Sequence, residues 1–457
     1  MNFLDARRVH VIGIGGIGTS GLAKILAHRG VMVSGSDADA SVVTDEVRAA
    51  HISVSIGHAA ENITADIEAI VYSGAVPTDN VERLAADERG IPSFSYSEAL
   101  GELTKQYRTI AVSGTHGKST TTAMLACILR AAGLDPLVLV GTRVPNFEQG
   151  NVFLGRGEIF VVEACEHEAQ MMNLHPEKII ITNLEPDHLD FYGTYAAYQE
   201  TFHQYVSRIA PENCVVNFDN LDARALFSAD PLRRTHLFGL QGGELRCVGR
   251  RSADGVQYAA LTGDVELKLR IPGAFNVMNA MAAILMAEQC GVERAFAARA
   301  LFEYPGSWRR FERVGQVNGA EVISDYGHHP TAINETLKAT REFFPRKRVV
   351  LVYQPHQHHR TKALYAEFID ALVEPDALIL NEVYHVRGRE HADDASATSA
   401  NLMQEVSARR GAEKQHWYAA TLDEVASLVK QHAKSDDVVV IMGAGDIYKI
   451  SKDLCST

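Results

Sequence analysis

The chain has 457 residues, 46% of them hydrophobic and 22% charged, with a formal net charge of −13 from 57 acidic and 44 basic side chains. An acidic chain of ordinary soluble composition is not a general nucleic-acid binder, and no apolar run approaches the roughly 18 residues of a membrane span. Six cysteines without CxxC spacing argue against a disulfide framework or a zinc site and fit a reducing cytoplasm.

The length suits about three domains. The first is expected over residues 1–106. An apolar strand from Val9 runs into Gly13-Ile14-Gly15-Gly16-Ile17-Gly18, a helix follows to about His28, and a second strand ends near Asp37. This is a Rossmann-like strand–turn–helix unit with an acid about 20 residues on, built for close approach to a diphosphate. Taken alone it serves an NAD-dependent oxidoreductase as readily as any other nucleotide-diphosphate site. A further strand, Ala69 to Tyr72, ends at Ser73, which is expected at the same edge of the sheet.

The second domain is expected over 107–313. Thr109 to Val112 reads as a buried strand, and Gly114-Thr115-His116-Gly117-Lys118-Ser119-Thr120 follows. Met124, Leu125, Ile128 and Leu129 then recur at helical spacing, and Gly133 marks the stop. Strand, glycine-rich turn, Lys-Ser and helix form a short phosphate loop, with Val112 where the longer form has glycine. Its backbone N–H groups cradle phosphate, Lys118 neutralises the β- and γ-phosphates, and Ser119 faces Mg²⁺. Two more apolar strands end at Glu163 and at Thr182-Asn183-Leu184-Glu185-Pro186-Asp187-His188. If both lie parallel beside the loop's strand, Glu163 and His188 point at the phosphate site as Mg²⁺ ligands. A diphosphate turn and a triphosphate loop in one chain fit two phosphorylated ligands, a nucleotide-diphosphate substrate and ATP.

The third domain, 314–457, alternates strand and helix again and reads as a second doubly wound sheet. Its predicted strand ends carry Asp325, His328, His329, His356, His359, Arg360 and the run from Gly443 to Asp446. The histidine spacing fits no zinc pattern, so His329, His356 and Arg360 are assigned instead to a pocket for an amino acid. Arg360 is suited to hold its carboxylate as a fork.

The phosphate loop, Thr182 to Asp190, Gly273-Ala274-Phe275-Asn276-Val277-Met278-Asn279, Trp308-Arg309-Arg310-Phe311-Glu312 and Asp325-Tyr326-Gly327-His328-His329-Pro330 occur in that order. With the N-terminal glycine turn and Gln354-Pro355-His356, this ordered set resembles the Mur ligase family over nearly the whole chain. The resemblance implies three α/β domains: a Rossmann-like N-terminal domain, a central P-loop ATPase-like domain and a C-terminal doubly wound Rossmann-like domain. It implies a cytoplasmic, ATP- and Mg²⁺-dependent amide ligase of peptidoglycan precursor synthesis, a monomer or homodimer with no nucleic-acid or membrane partner. The lactyl carboxylate of UDP-N-acetylmuramate is phosphorylated to an acyl phosphate, and an amino acid then displaces the phosphate. L-alanine is the first choice, with glycine, L-serine or a peptide as alternatives.

By position, the UDP-sugar falls to Gly13, Gly15, Gly16, Gly18, Asp37 and Ser73. ATP falls to residues 114–120, Asn276, Asn279, Arg310 and Asp325, and the metal to Ser119, Glu163 and His188. Lys118, His188 and Arg360 are the expected catalytic groups, with domain closure carrying Arg360 towards the acyl phosphate. Three stretches depart from the family pattern: Cys165-Glu166-His167-Glu168, where an acidic cluster is usual, Gln357, where arginine is usual, and residues 385–390 after Tyr384; the lysine that several members carbamylate downstream of the histidine ligand has no counterpart between Lys178 and Lys268.

Overall fold

The computed structural model describes residues 3–227, 229–385, 398–411 and 413–455; residues 386–390 of the divergent stretch after Tyr384 lie outside them. The chain divides into two compact units. One comprises Met1–Gly249, Ala259–Leu267 and Met278–Pro305, the other Arg250–Tyr258, Lys268–Val277 and Gly306–Thr457. No described helix is long and apolar enough to cross a membrane. Three sheets carry the three-domain architecture that the strand and turn pattern predicts.

The first sheet holds β1 (Arg8–Ile12), β2 (Met32–Asp37), β3 (Ser53–Ile56), β4 (Ala69–Tyr72) and β5 (Ser93–Ser95) in the order β3-β2-β1-β4-β5. All its pairings are parallel. Val9, Val11 and Ile12 of β1 are buried, the near-continuous apolar run expected of a strand covered on both faces. The order reverses between β1 and β4, which opens a crevice at their carboxyl ends. The glycine turn leaves β1 there and Ser73 leaves β4 there.

The second sheet contains β6 (Arg108–Ser113), β7 (Leu137–Leu139), β8 (Val152–Leu154), β9 (Ile159–Glu163), β10 (Lys178–Ile181), β11 (Cys214–Asn217), β12 (His236–Gly239), β13 (Leu245–Ala253), β14 (Val256–Leu261) and β15 (Val265–Leu269). Their order is β15-β14-β13-β12-β11-β10-β6-β9-β7-β8. The strand before the phosphate loop lies between β9 and β10 and is parallel to both. That meets the condition under which Glu163 and the segment leading to His188 emerge beside the loop. One hydrophobic core runs through both of these domains, from Val11 and Leu22 to Ala111, Phe160 and Tyr198.

The third sheet has β16 (Glu312–Val317), β17 (Ala320–Asp325), β18 (Arg348–Tyr353), β19 (Ala377–Asn381), β20 (Gln415–Ala419) and β21 (Asp437–Met442), in the order β16-β17-β21-β18-β19-β20. It is parallel except for the edge strand β16, which pairs antiparallel with β17. Alternate residues of β21 serve two cores: Val438, Val440 and Met442 face one, Val439 and Ile441 the other. That period of two, repeated in β18, places apolar layers on both faces, as a doubly wound sheet requires.

Candidate active site

Two glycine turns shape the first unit. After β1, the N–H groups of Gly13 and Ile14 both donate to the Ser36 carbonyl at 2.8 and 2.9 Å, and Gly15 N–H donates to Asp37 Oδ2 at 2.7 Å. Gly13 has φ 78°, and a Cβ built on it would stand 2.9 Å from Ser73 Cβ. A side chain is therefore excluded twice over. The helix Ile17–His28 begins after Gly16 without a side-chain cap, so its first N–H groups face the crevice. Gly13, Gly15, Gly16, Gly18, Asp37 and Ser73 thus converge on one edge. Asp37 braces the turn itself in this structure.

The second turn leaves β6 with Gly114 at φ 126° and Gly117 at φ 85°, and Gly117 opens the helix Lys118–Ala131, again without a side-chain cap. The exit from β10 holds it in place. Asn183 accepts from His116 N–H at 2.9 Å through Oδ1 and from Thr115 N–H at 3.0 Å through its carbonyl. The Thr182 hydroxyl and the Asn183 amide both donate to the His116 carbonyl. Thr115 shares a 2.9 Å hydrogen bond with Tyr198, His116 Nε2 lies 3.4 Å from Glu185, and Thr120 is buried. Asn279 packs its carboxamide against Gly117, where a Cβ would collide with it. Asn276 sits one turn earlier on the same helix, Ala274–Glu288, buried and donating to the Pro272 carbonyl at 2.6 Å.

At the mouth of the loop Ser119 Oγ donates to Glu163 Oε1 at 3.1 Å, and Gly141 N–H donates to Glu163 Oε2 at 2.7 Å. A carboxylate and a hydroxyl beside an anion cradle are oxygen donors of the kind Mg²⁺ takes, so the residues present fit that ion. Lys118 Nζ donates to the carbonyls of Gly114 and Thr115 at 2.7 and 3.0 Å and lies 2.8 Å from Glu166 Oε2. His188 Nε2 stands 3.5 Å from Glu166 Oε1.

Glu166, in the divergent cluster after Glu163, carries no role in the sequence assignments. Its side chain is 3% exposed, yet it joins the loop's lysine to the histidine expected at the metal. Burial works to raise the Glu166 pKa, but the Lys118 ammonium and the His188 hydrogen bond outweigh it and hold the carboxyl below its ordinary value. Burial likewise works to lower the Lys118 pKa, and the attraction of Glu166 leaves it net raised. The available signal was an acid three residues beyond Glu163. What hid it was the irregular turn that follows, where Glu168 and Ala169 adopt positive φ.

In the second unit Asp325, at the end of β17, is buried and accepts from Phe311 N–H at 2.9 Å and Gly327 N–H at 2.7 Å; burial raises its pKa. The Arg310 guanidinium lies over the Tyr326 ring at 4.8 Å. Arg309, its neighbour, is the second residue the sequence reading passed over. It is buried between the Tyr326 and Tyr448 rings and donates to the carbonyls of Gly443 and Gly445. His329 caps the helix Pro330–Phe343 by accepting from Thr331 N–H. Arg360 Nη1 lies 3.5 Å from His356 Nδ1, and the His356 ring stacks on Tyr384 at 5.6 Å. His356, Arg360 and Tyr384 are therefore neighbours.

Three family models match in succession: the Mur ligase family catalytic domain over residues 8–108, the Mur ligase middle domain over 112–287 and the Mur ligase glutamate ligase domain over 309–445. The chain is 37% identical over 456 residues to the UDP-N-acetylmuramate–L-alanine ligase of Burkholderia ambifaria, covering 96% of each. It is 34% identical over 473 residues to that of Lachnoclostridium phytofermentans, covering 99% of each. The crystal structure of UDP-N-acetylmuramate–alanine ligase from Thermotoga maritima superposes with a TM-score of 0.84 at 28% identity, over 98% of both chains. A murein peptide ligase from Psychrobacter arcticus shares the fold, with a TM-score of 0.70 at 22% identity. Matched from end to end in this way, the chain belongs to the Mur ligase family of ATP-dependent ligases.

Proposed function

We propose that this enzyme joins L-alanine to the lactyl carboxylate of UDP-N-acetylmuramate at the expense of ATP. The observation that carries the reading is the coexistence, in one compact unit, of an uncapped diphosphate turn and a phosphate loop lined by Lys118, Ser119, Glu163, Glu166 and His188. An oxidoreductase gives the second of these no work to do. The alanine-adding relatives at 34% and 37% identity favour L-alanine over glycine, L-serine or a peptide.

The chemistry brings two anions together. A lactyl carboxylate oxygen attacks the γ-phosphorus of ATP, the bond to the β,γ-bridging oxygen breaks, and ADP leaves with that electron pair. The amine then attacks the acyl carbonyl, passes through a tetrahedral intermediate, loses a proton and expels inorganic phosphate. Backbone N–H groups of residues 114–119 orient the phosphates, and the Lys118 ammonium offsets charge as it builds on the transferring group. Glu166 holds Lys118 and His188 in place. Ser119, Glu163 and His188 would hold Mg²⁺, which supplies further neutralisation between the reacting anions. Asn279 and Asn276 are assigned to the adenine, Arg310 and Asp325 to the rest of ATP, and Arg360 with His356 and His329 to the amino acid.

The test is ADP release from ATP with UDP-N-acetylmuramate across all common amino acids. The reading expects turnover only when both acceptor and amino acid are present, highest with L-alanine. Turnover that ignores UDP-N-acetylmuramate would overturn it.

A further inference from the structure

Tyr96 has no role in the assignments above. It opens the helix Tyr96–Thr104, whose start is fixed by a reciprocal capping box between Ser95 and Glu98. Its ring packs on the core shared by the first two domains. The far end of the side chain lies flat on Gly18: a Cβ built there would stand 2.6 Å from Tyr96 Cζ and 2.8 Å from the hydroxyl oxygen. The last glycine of the turn is thus bare because a tyrosine occupies its side-chain space. Among the described residues no hydrogen bond engages the Tyr96 hydroxyl. Burial, then the neighbouring Cys165 and Glu163, raise its pKa, so it remains a protonated donor.

A donor therefore stands against the first turn of the helix Ile17–His28, at the start of a helix that meets the segment following Glu163, where Asn173 Nδ2 donates to Ser97 Oγ at 2.9 Å. In the reading above the UDP-sugar runs from the glycine turn, which takes its diphosphate, to the phosphate loop, where its lactyl carboxylate meets ATP. We propose that the Tyr96 hydroxyl donates to an oxygen of the sugar-side phosphate of the UDP-sugar. It supplies a charge-assisted hydrogen bond alongside the helix N–H groups, at the point where the substrate leaves the turn for the reacting centre. The inference rests on the UDP-sugar assignment of that turn.

Calorimetric titration of the full chain and of Tyr96→Phe with UMP, UDP and UDP-N-acetylmuramate tests it. Phenylalanine keeps the ring on Gly18 and removes only the donor. Losing one hydrogen bond to a charged group predicts a roughly 10- to 100-fold weaker affinity for UDP and UDP-N-acetylmuramate, with UMP unchanged. Unchanged affinity for all three ligands overturns the proposal. So does equal weakening of all three, which would mark a loosened turn. So does weakening confined to UDP-N-acetylmuramate, which would put the hydroxyl on the sugar. Failure of the wild-type chain to bind UDP would instead sink the UDP-sugar assignment itself, so the two failures are distinguishable.

Discussion

Glu166→Gln probes the ion pair on which the phosphate loop depends. In the wild type the Lys118 ammonium, with a side chain 11% exposed, faces a carboxylate that is 3% exposed at 2.8 Å. Removing one partner of a buried pair costs about 3–5 kcal/mol, because the other charge stays behind uncompensated. Here the ammonium keeps the carbonyls of Gly114 and Thr115, and glutamine keeps one acceptor. The expected loss is therefore nearer 2–3 kcal/mol, on the order of 3–5 °C in the melting of the first unit. ATP should raise the variant's melting temperature more than the wild type's, because its γ-phosphate supplies the missing negative charge. Turnover should fall by roughly 10- to 100-fold as His188 loses its orienting partner. Differential scanning calorimetry with and without ATP reads the first two effects, and steady-state ADP release reads the third. A variant melting within about 1 °C of wild type without ATP would show that Lys118 does not depend on Glu166, and the reasoning fails.

Ser119→Ala should weaken Mg²⁺-dependent nucleotide binding about 10-fold while metal-free ATP binding stays unchanged; a fluorescent ATP analogue titrated at several Mg²⁺ concentrations separates the two. His10 of β1 is buried between Ser34 and Glu82, and its pKa falls from 6.5 to about 4, chiefly by burial. The folded state refuses a proton that the unfolded chain takes. Stability is thus full above about pH 6.5 and declines as pH drops towards 4, by up to about 3 kcal/mol. Urea unfolding of His10→Gln across that range should be flatter than wild type, and an equal slope in both would refute it.

The parts legible from sequence were those with a local signature. The β-branched run at Thr109–Val112, the glycines of both turns and the apolar strands ending at Glu163 and Ile181 each announce themselves within a few residues. Parallel packing then follows from alternation of strand and helix. The β7–β8 hairpin, the β13–β15 stretch and the edge strand β16 were passed over. They are short or half-exposed: β13 buries only Leu245 and Cys247 among its nine residues, which leaves little periodicity to read. The reading also cut the chain into contiguous segments, whereas residues 250–258 and 268–277 group with the C-terminal unit. Such grouping is set by long-range packing that no window of sequence contains. Glu166 and Arg309 stayed hidden for the same reason. A charged residue looks like solvated surface until its distant partners, Lys118 and His188 for one and Gly443 and Gly445 for the other, are known.

The most direct test of the central claim is to follow the oxygen that makes the attack. UDP-N-acetylmuramate labelled with ¹⁸O in its lactyl carboxylate should give one labelled oxygen to inorganic phosphate for each amide formed, because the attacking oxygen leaves with phosphorus when the amine displaces it. Amide formed alongside unlabelled phosphate would mean that the carboxylate never attacks ATP, and the account of this site would be contradicted.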